Sequence, residues 1–338
     1  MRAIEIQGGF GVDNLRLVER PEPSAGPGQV VVAMRAASLN YRDLLMVRGL
    51  YNPRQPLPLI PCSDGVGEVV AVGEGVSRVG VGDRVATVFS QTWIAGPPTA
   101  DKLRGTLGGP LDGTLAERMV LSAEGVVPVP DHLSDVEAAA LPCAAVTAWS
   151  ALVEQGSVTA GDVVLVQGTG GVSTFALQIA RLLGARVIVT SSSDAKLARV
   201  RELGAWQTIN YLEEPAWGAA ARRMTGGRGV DHVVEVGGAG TLEQSLKAVR
   251  VGGQVSVIGV LSGAVSELNV IPVLMQQIRL QGILVGSRES FERMNRTLAS
   301  AEARPVVDRV FPLADTAEAL ARMGSAQHVG KICVSISF

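Results

Sequence analysis

Two textures of hydrophobic pattern follow one another along the chain. From Met1 to about Pro130, short apolar runs are broken by Gly and Pro. Val30–Met34, Gly67–Val72 and Asp83–Val88 have the composition of strands, and Met1–Ile6 alternates as a strand does. Gly73, Gly75, Gly80 and Gly82 punctuate these runs, where turns call for positive φ. The pattern predicts an irregular, largely antiparallel β domain.

From about Asp131 the pattern changes. Val163–Gln167, Val187–Thr190, His232–Val236, Val255–Gly259 and Gln281–Val285 are short and almost wholly apolar, as strands buried on both faces must be. Thr174–Leu183 repeats at helical spacing and stops at Gly184, and Leu242–Val249 forms a second crossover helix before Gly252-Gly253. Strand and helix in alternation predict an α/β fold with a doubly wound parallel sheet. Beyond it, Glu289–Phe338 holds two amphipathic helices and a final strand, Ile332–Ile336, free to return to the first domain. The expected division is residues 1–130 with 287–338, and residues 131–286. Ala95–Gly113, rich in Gly and Pro, reads as a surface loop.

Composition narrows the picture. A hydrophobic share of 47% and a charged share of 18% fit a packed enzyme and not a disordered chain. A net charge of −2 leaves no basic field for nucleic acid. No apolar run is long enough to span a bilayer, and the N-terminus lacks the apolar core of a signal peptide. Cys62, Cys143 and Cys333 are far apart and odd in number, which predicts reduced thiols in a cytoplasm.

The candidate chemistry begins where Val163–Gln167 runs into Gly168-Thr169-Gly170-Gly171-Val172-Ser173 and then into a helix. One glycine allows the tight turn, and the next lets backbone approach a pyrophosphate. The helix N-terminus offers N–H groups and partial positive charge to the anion. Ser173 stands where a third glycine is usual, and it is small enough for close packing. The context predicts a Rossmann dinucleotide site; a Gly-rich turn without a ligand is the plainer reading. An NAD enzyme usually places a carboxylate at the end of the second strand. Here that end reads Thr190-Ser191-Ser192-Ser193, followed by Asp194 and Lys196, which suits the 2′-phosphate of NADP(H). Asp194 falls late enough to cap the next helix. Lys196 is also explicable as an ordinary solvated helix lysine.

Several segments together resemble the medium-chain dehydrogenase/reductase family over nearly the whole chain. Pro61-Cys62-Ser63-Asp64-Gly65-Val66-Gly67-Glu68-Val69 is similar to its GHE region, Val81-Gly82-Asp83-Arg84-Val85 to its VGDRV, and Ala140–Trp149 to the helix under the nicotinamide. Zinc members carry Cys-His-x-Asp where this chain has Asn40-Tyr41-Arg42-Asp43, and Gly-His-Glu where it has Cys62-Ser63-Asp64. Cys143 alone matches a ligand position, and one thiolate cannot build a tetrahedral zinc site. The four-cysteine structural lobe is missing. A metal held by Cys62, Cys143 and Asp64 is the remaining way to rebuild the site; the expectation is that there is none.

What remains resembles the zinc-independent, quinone-oxidoreductase-like branch, through Gly49-Leu50-Tyr51 and Ala205–Tyr211. The resemblance implies a GroES-like, β-rich catalytic domain beside the Rossmann domain. It implies that Tyr211 and Lys196 sit at the 2′-phosphate and that Thr147 touches the nicotinamide. It further implies that Gly237, Ile258-Gly259-Val260 and Val285-Gly286-Ser287 line the pocket, and that Lys331 reaches the cofactor.

Without zinc, a developing oxyanion needs hydrogen-bond donors. The candidates are Asn40, Tyr41, Tyr51 and Ser63, each worth about 3 kcal/mol in the transition state. That favours activated acceptors: quinones, enones and related conjugated carbonyls. A tyrosine is a possible proton donor. Plainer readings stand beside these. Asn40 is equally able to bond a backbone turn or the cofactor amide, Tyr41 and Tyr51 to pack their rings, Asp43 and Asp64 to serve structural bonds, and Cys143 to fill space. His132, His232 and His328 are assigned no chemistry.

The expected function is therefore NADPH-dependent hydride transfer to a small quinone or conjugated carbonyl. The alternatives are a zinc-free NADP-dependent alcohol dehydrogenase or ketone reductase, and a low-turnover NADPH-binding sensor or partner protein. Gln281–Val285 is expected at the sheet edge, where an apolar strand invites a homodimer.

Overall fold

The computed structural model describes residues 1–336. In chain order its strands are β1 (Arg2–Ile6), β2 (Leu15–Glu19), β3 (Gln29–Leu39), β4 (Asp64–Val72), β5 (Arg84–Thr87), β6 (Arg118–Ser122) and β7 (Val126–Pro128). Then come β8 (Val163–Gln167), β9 (Arg186–Ser191), β10 (Gln207–Asn210), β11 (Val230–Glu235), β12 (Val249–Val257) and β13 (Arg279–Gly282). The chain closes with β14 (Val307–Pro312) and β15 (Lys331–Ser335). Contacts separate two units: Met1–Val146 with the chain from Gly286 onward, and Thr147–Val285.

The second unit is built on a six-stranded parallel sheet of order β10-β9-β8-β11-β12-β13. Renumbered from β8, that is 3-2-1-4-5-6, the doubly wound Rossmann order, with its switch point between β8 and β11. Every residue of β8 is buried, because strands flank it on either side and the faces are covered. Leu165, Ile188, Val233 and Val255 stack across neighbouring strands in one core. Helix Gly171–Leu182 follows β8 and starts at the glycines themselves, ahead of the periodic residues from Thr174.

The first unit wraps a seven-stranded sheet of order β14-β15-β3-β4-β5-β7, with β6 also paired to β3. The long β3 explains this: its first half pairs β6, its last half pairs β15, and β4 runs along its other side. Gly67 permits the close approach of β4, since a Cβ there would lie 2.2 Å from the Ala33 carbonyl oxygen. The last strand does return to the first unit, antiparallel to β3 at Ile332 and Leu39.

Four elements differ from the pattern. β12 begins at Val249 and not Val255, because Gly253 brings backbone close to Asp231 and the register slips between Val230 and His232. β13 ends at Gly282, so the apolar Ile283–Val285 follows the strand; Ile283 and Val285 are buried all the same. β10 and β14 have no apolar run to announce them, being edge strands of mixed burial. All three cysteines are free thiols. Among the described residues no helix is long and apolar enough to cross a membrane.

Truncating Leu165 to Ala in the centre of β8 leaves a void between sheet and helices. It should destabilise the protein by about 2–5 kcal/mol, measured by denaturant unfolding followed in the far ultraviolet; a loss below a tenth of that would show that the sheet core is placed wrongly.

Candidate functional site

The C-terminal ends of β8, β9, β11 and β12 gather most of the residues expected to hold a cofactor. Gly168 turns out of β8 with φ +70°, and its N–H donates to the Thr190 carbonyl at 2.8 Å. A Cβ on Gly168 would meet nothing within 4 Å, so the turn faces open space. Thr169 is buried behind it, and Gly170 precedes the first turn, Gly171 and Val172. Ser173 is buried and donates its hydroxyl to the Gln167 carbonyl at 2.7 Å, tying helix to strand. A glycine would leave that bond unmade. A twelve-residue helix whose first N–H groups have no acceptor within the helix, fronted by an open glycine turn, fits a dinucleotide pyrophosphate.

Thr190 and Ser191 end β9, both buried. Tyr211 is brought beside them by its N–H, which donates to the Ser191 carbonyl at 3.1 Å, and its ring is 39% exposed. Lys196 lies in the first turn of helix Asp194–Glu202, capped by Ser193. Asp194 accepts from the Asn210 amide at 3.0 Å instead of capping. Thr190, Ser191, Tyr211 and Lys196 thus come from segments that meet at or just after the end of β9, where an NAD enzyme usually places a ribose-binding carboxylate.

A buried cage stiffens the loops beyond β11 and β12. Glu235, wholly buried, accepts from the N–H groups of Gly237 and Gly238, from the hydroxyls of Thr241 and Ser245, and from the Gln167 amide. Gln167 in turn accepts from Val236 and Gly237 N–H at 3.1 Å. The next loop is stitched to the same place: Ile258 and Gly259 donate to the Glu235 carbonyl and Ser262 to that of Gly237. A Cβ on Gly259 would stand 2.3 Å from the Val236 oxygen. Val260 is half exposed, Thr147 is buried in the helical turn Val146–Trp149, and Val285 holds φ +52°. Glu235 and Gln167 were not among the expected site residues. A polar residue at the end of each strand, Gln167 after the apolar Val163–Val166 and Glu235 two positions before Gly237, was the available signal.

The first unit holds the remaining residues around one polar corner. Asn40 follows β3 and caps helix Tyr41–Val47; its N–H donates to the Asp43 carboxylate at 2.7 Å. Its side-chain amide donates to Ser63 Oγ at 3.4 Å, and Ser63, wholly buried, donates onward to Asp64 Oδ1 at 2.7 Å. Asp64 Oδ2 accepts from the Cys143 N–H at 3.0 Å. The Lys331 ammonium donates to the Leu39 carbonyl at 2.7 Å and to Asn40 Oδ1 at 2.5 Å, with Asp64 at 3.9 Å. The proton of Ser63 is thus spent on Asp64, which leaves Asn40, partly exposed, as the donor of the corner. Tyr41 and Tyr51 are exposed, and the Arg42 guanidinium stacks between the rings of Tyr51 and Phe89 at about 5 Å. Ser287 caps helix Arg288–Ser300, accepting from Ser290 N–H, and Gly286 precedes it.

Burial governs the titration of this corner. It raises Asp64 and the thiols of Cys62 and Cys143, whose ionised forms lose hydration; Cys333 is pushed up to about 11. Asp43 is raised from 3.8 to about 6, burial outweighing Arg42 and the Asn40 N–H. A tetrahedral zinc does not fit this donor set. Asn40 and Ser63 supply an amide and a hydroxyl where two strong ligands would be needed, and an ammonium already sits beside Asp64. The Cys62 thiol is engaged with the Ser38 carbonyl, and no group of three His, Cys, Asp or Glu among the described residues is placed to hold a metal.

An open glycine turn at the switch point of a doubly wound sheet, with a GroES-like unit in the same chain, defines a nicotinamide-dependent oxidoreductase. Residues 26–131 match the alcohol dehydrogenase GroES-like domain, and residues 171–300 match the zinc-binding dehydrogenase domain. The chain is 43% identical over 96% of its length, and 96% of the other, to a zinc-type alcohol dehydrogenase-like protein of Schizosaccharomyces pombe. It superposes with TM-score 0.91 on a candidate alcohol dehydrogenase of Sinorhizobium meliloti (43% identity, 99% of both chains). The same score relates it to an NAD-dependent alcohol dehydrogenase (35% identity, 100% of both chains). More distant relatives include an acryloyl-coenzyme A reductase of Metallosphaera sedula (28% identity, 99% of this chain and 100% of the other). A crotonyl-CoA carboxylase/reductase in complex with NADP aligns with TM-score 0.89 at 26% identity (99% of this chain, 94% of the other). The chain belongs to the medium-chain dehydrogenase/reductase family, among its alcohol dehydrogenase-like oxidoreductases.

Because the folded state binds the Asp43 proton more tightly than the unfolded chain, stability should fall as pH rises from 3.8 to about 6. The contribution is about 3 kcal/mol at most. In the Asp43→Asn protein the decline over that window should become shallower; an unaltered pH profile of the unfolding midpoint would show that Asp43 titrates normally.

Proposed function

We propose that this chain is an NADPH-dependent reductase of quinones or conjugated carbonyls that works without catalytic zinc. The observation that carries the reading is the polar corner: where ligands would converge on a metal, an amide, a hydroxyl and an ammonium are already bonded to one another. When bound, the reduced nicotinamide supplies the hydride. The pyrophosphate would rest on Gly168–Val172, with Thr190, Ser191, Lys196 and Tyr211 at the phosphorylated ribose. Thr147, Gly237, Ile258, Gly259, Val260, Val285, Gly286 and Ser287 would border the nicotinamide.

The chain's own residues have a limited task. Asn40 Nδ2 donates to the carbonyl oxygen as negative charge gathers there. Tyr41 and Tyr51, both exposed, are the proton donors proposed to act with it. One hydrogen-bond donor stabilises an oxyanion by about 3 kcal/mol, less than a metal provides. A conjugated acceptor, which spreads the charge, suits that provision better than a simple ketone. The names of two relatives, an acryloyl-coenzyme A reductase and a crotonyl-CoA carboxylase/reductase, concern conjugated thioesters and support this choice. The alcohol dehydrogenase names of others favour a second reading, a ketone reductase on the same site.

A second copy of the chain is the partner we propose. Val265, Val270, Ile271, Leu274 and Met275 are each more than half exposed, and they lie just ahead of edge strand β13. An apolar ledge beside an unpaired strand edge is a self-complementary surface.

Turnover of NADPH with a quinone, an enone and a simple ketone should rank in that sense and persist after chelator treatment that leaves zinc far below one per chain. Zinc-dependent turnover, or preference for the ketone, would reject the reading. Lys196→Glu should raise KM for NADPH by at least about tenfold, the equivalent of one charge-assisted contact, and leave KM for NADH unchanged; equal effects on both would remove Lys196 from the 2′-phosphate. Sedimentation should give a dimer that Leu274→Asp with Met275→Asp converts to monomer.

A further inference from the structure

Asn40 and Lys331 stand at opposite ends of the sequence, yet they form a single pair, the lysine buried and the amide partly exposed. The lysine side chain is 3% exposed, and its Nζ spends two donors on the Leu39 carbonyl and Asn40 Oδ1. The third faces Asp64, 3.9 Å away. Asp64 accepts the Ser63 hydroxyl, and Ser63 accepts the Asn40 amide. The four side chains close a ring: ammonium, amide, hydroxyl, carboxylate.

The ring decides which way the amide faces. An Asn side chain has two orientations that differ by exchange of its oxygen and nitrogen. With Nδ2 turned inward, its N–H groups would confront the N–H groups of an ammonium that has no acceptor to offer. Burial makes that juxtaposition costly, since water cannot relieve it. Only the orientation with Oδ1 toward Lys331 satisfies both. It leaves Nδ2 facing Ser63 and Asp64, on a residue that is itself partly exposed and so open to a substrate oxygen. A cation on the amide oxygen also draws electron density from the nitrogen and strengthens its N–H as a donor.

We propose that Lys331 is a positioning residue that locks the Asn40 amide with Nδ2 toward the substrate oxygen and lends it the positive charge that a metal would otherwise bring. This rests on the reading of Asn40 as the carbonyl donor. It gives Lys331 a role within the first unit in place of contact with the cofactor.

A double-mutant cycle tests it, with kcat, KM and NADPH affinity measured for each protein. Asn40→Ala should lower kcat by about 10²-fold to 10³-fold, the usual effect of losing an oxyanion donor. Lys331→Met should lower kcat by at least about tenfold while the NADPH dissociation constant moves less than about threefold. Combined with Asn40→Ala, Lys331→Met should add less than about twofold, because the lysine acts through an amide already removed. Effects that multiply, a weakened NADPH affinity in place of a lower kcat, or an unchanged kcat in Lys331→Met would overturn the proposal. If kcat is unchanged in Asn40→Ala, the carbonyl-donor reading fails first, and the lysine's role with it. Should Lys331→Met not fold, Lys331→Gln, neutral but able to hydrogen-bond, carries the same comparison.

Discussion

Taking an ammonium out of water costs several kcal/mol unless acceptors surround it. In the first unit that requirement ties together segments that otherwise have little in common. Lys331 needs the carbonyl at the end of β3 and the amide that follows it, so the C-terminal strand must lie against β3 in one register. Asp64, at the start of β4, needs Ser63 and the N–H of Cys143, which fixes the chain on either side. Cys62 is forced to φ +76° just before them, and Gly113 is packed so closely that a Cβ would stand 2.0 Å from the Cys62 oxygen. The strain and the close packing are local consequences of holding four polar groups in one small buried ring.

The second unit solves a comparable problem without a cation. Glu235 is buried among donors alone, and five groups from three segments converge on it. A carboxylate satisfied in this way holds the Gly237-Gly238 turn still, and Gln167 links that turn to the strand feeding the glycine loop. The loops at the sheet's C-terminal edge are thus held by the chain's own hydrogen bonds, which lowers the ordering cost of binding. Both units use a saturated polar network to place a few donors, and both put ordinary hydrophobic packing beneath it.

Much of this was legible in the sequence because parallel strands buried on both faces must be apolar throughout. Val163–Gln167 reads correctly to the residue, and the glycine turn after it follows from steric need. The alternation of strand and helix is enough for a parallel doubly wound sheet, whose strand order only the structure gives. Legibility ends where spacing along the chain stops being informative. β14 carries charges and a proline and is visible only through its pairing with β15. The boundary of β12 depends on how closely Gly253 lets two backbones approach. Asn40 and Ser63 stand out by departing from a metal-binding pattern, but that Ser63 gives its proton to Asp64 is a fact of three-dimensional contact. The bond between Lys331 and Leu39 spans 292 positions, and no local pattern encodes it.

The position of β15 between β14 and β3 also bears on how the protein is made. A ribosome releases the chain from its N-terminus, and residues 147–285, contiguous and with their own core, are all available before the last fifty are synthesised. The first unit has no such option. Its sheet has a gap beside β3 until the final strand emerges, and the apolar edge of β3 stays open to wrong partners until then. Residues 147–285 are therefore able to fold first, and the sheet of the first unit is filled only once β15 has been made.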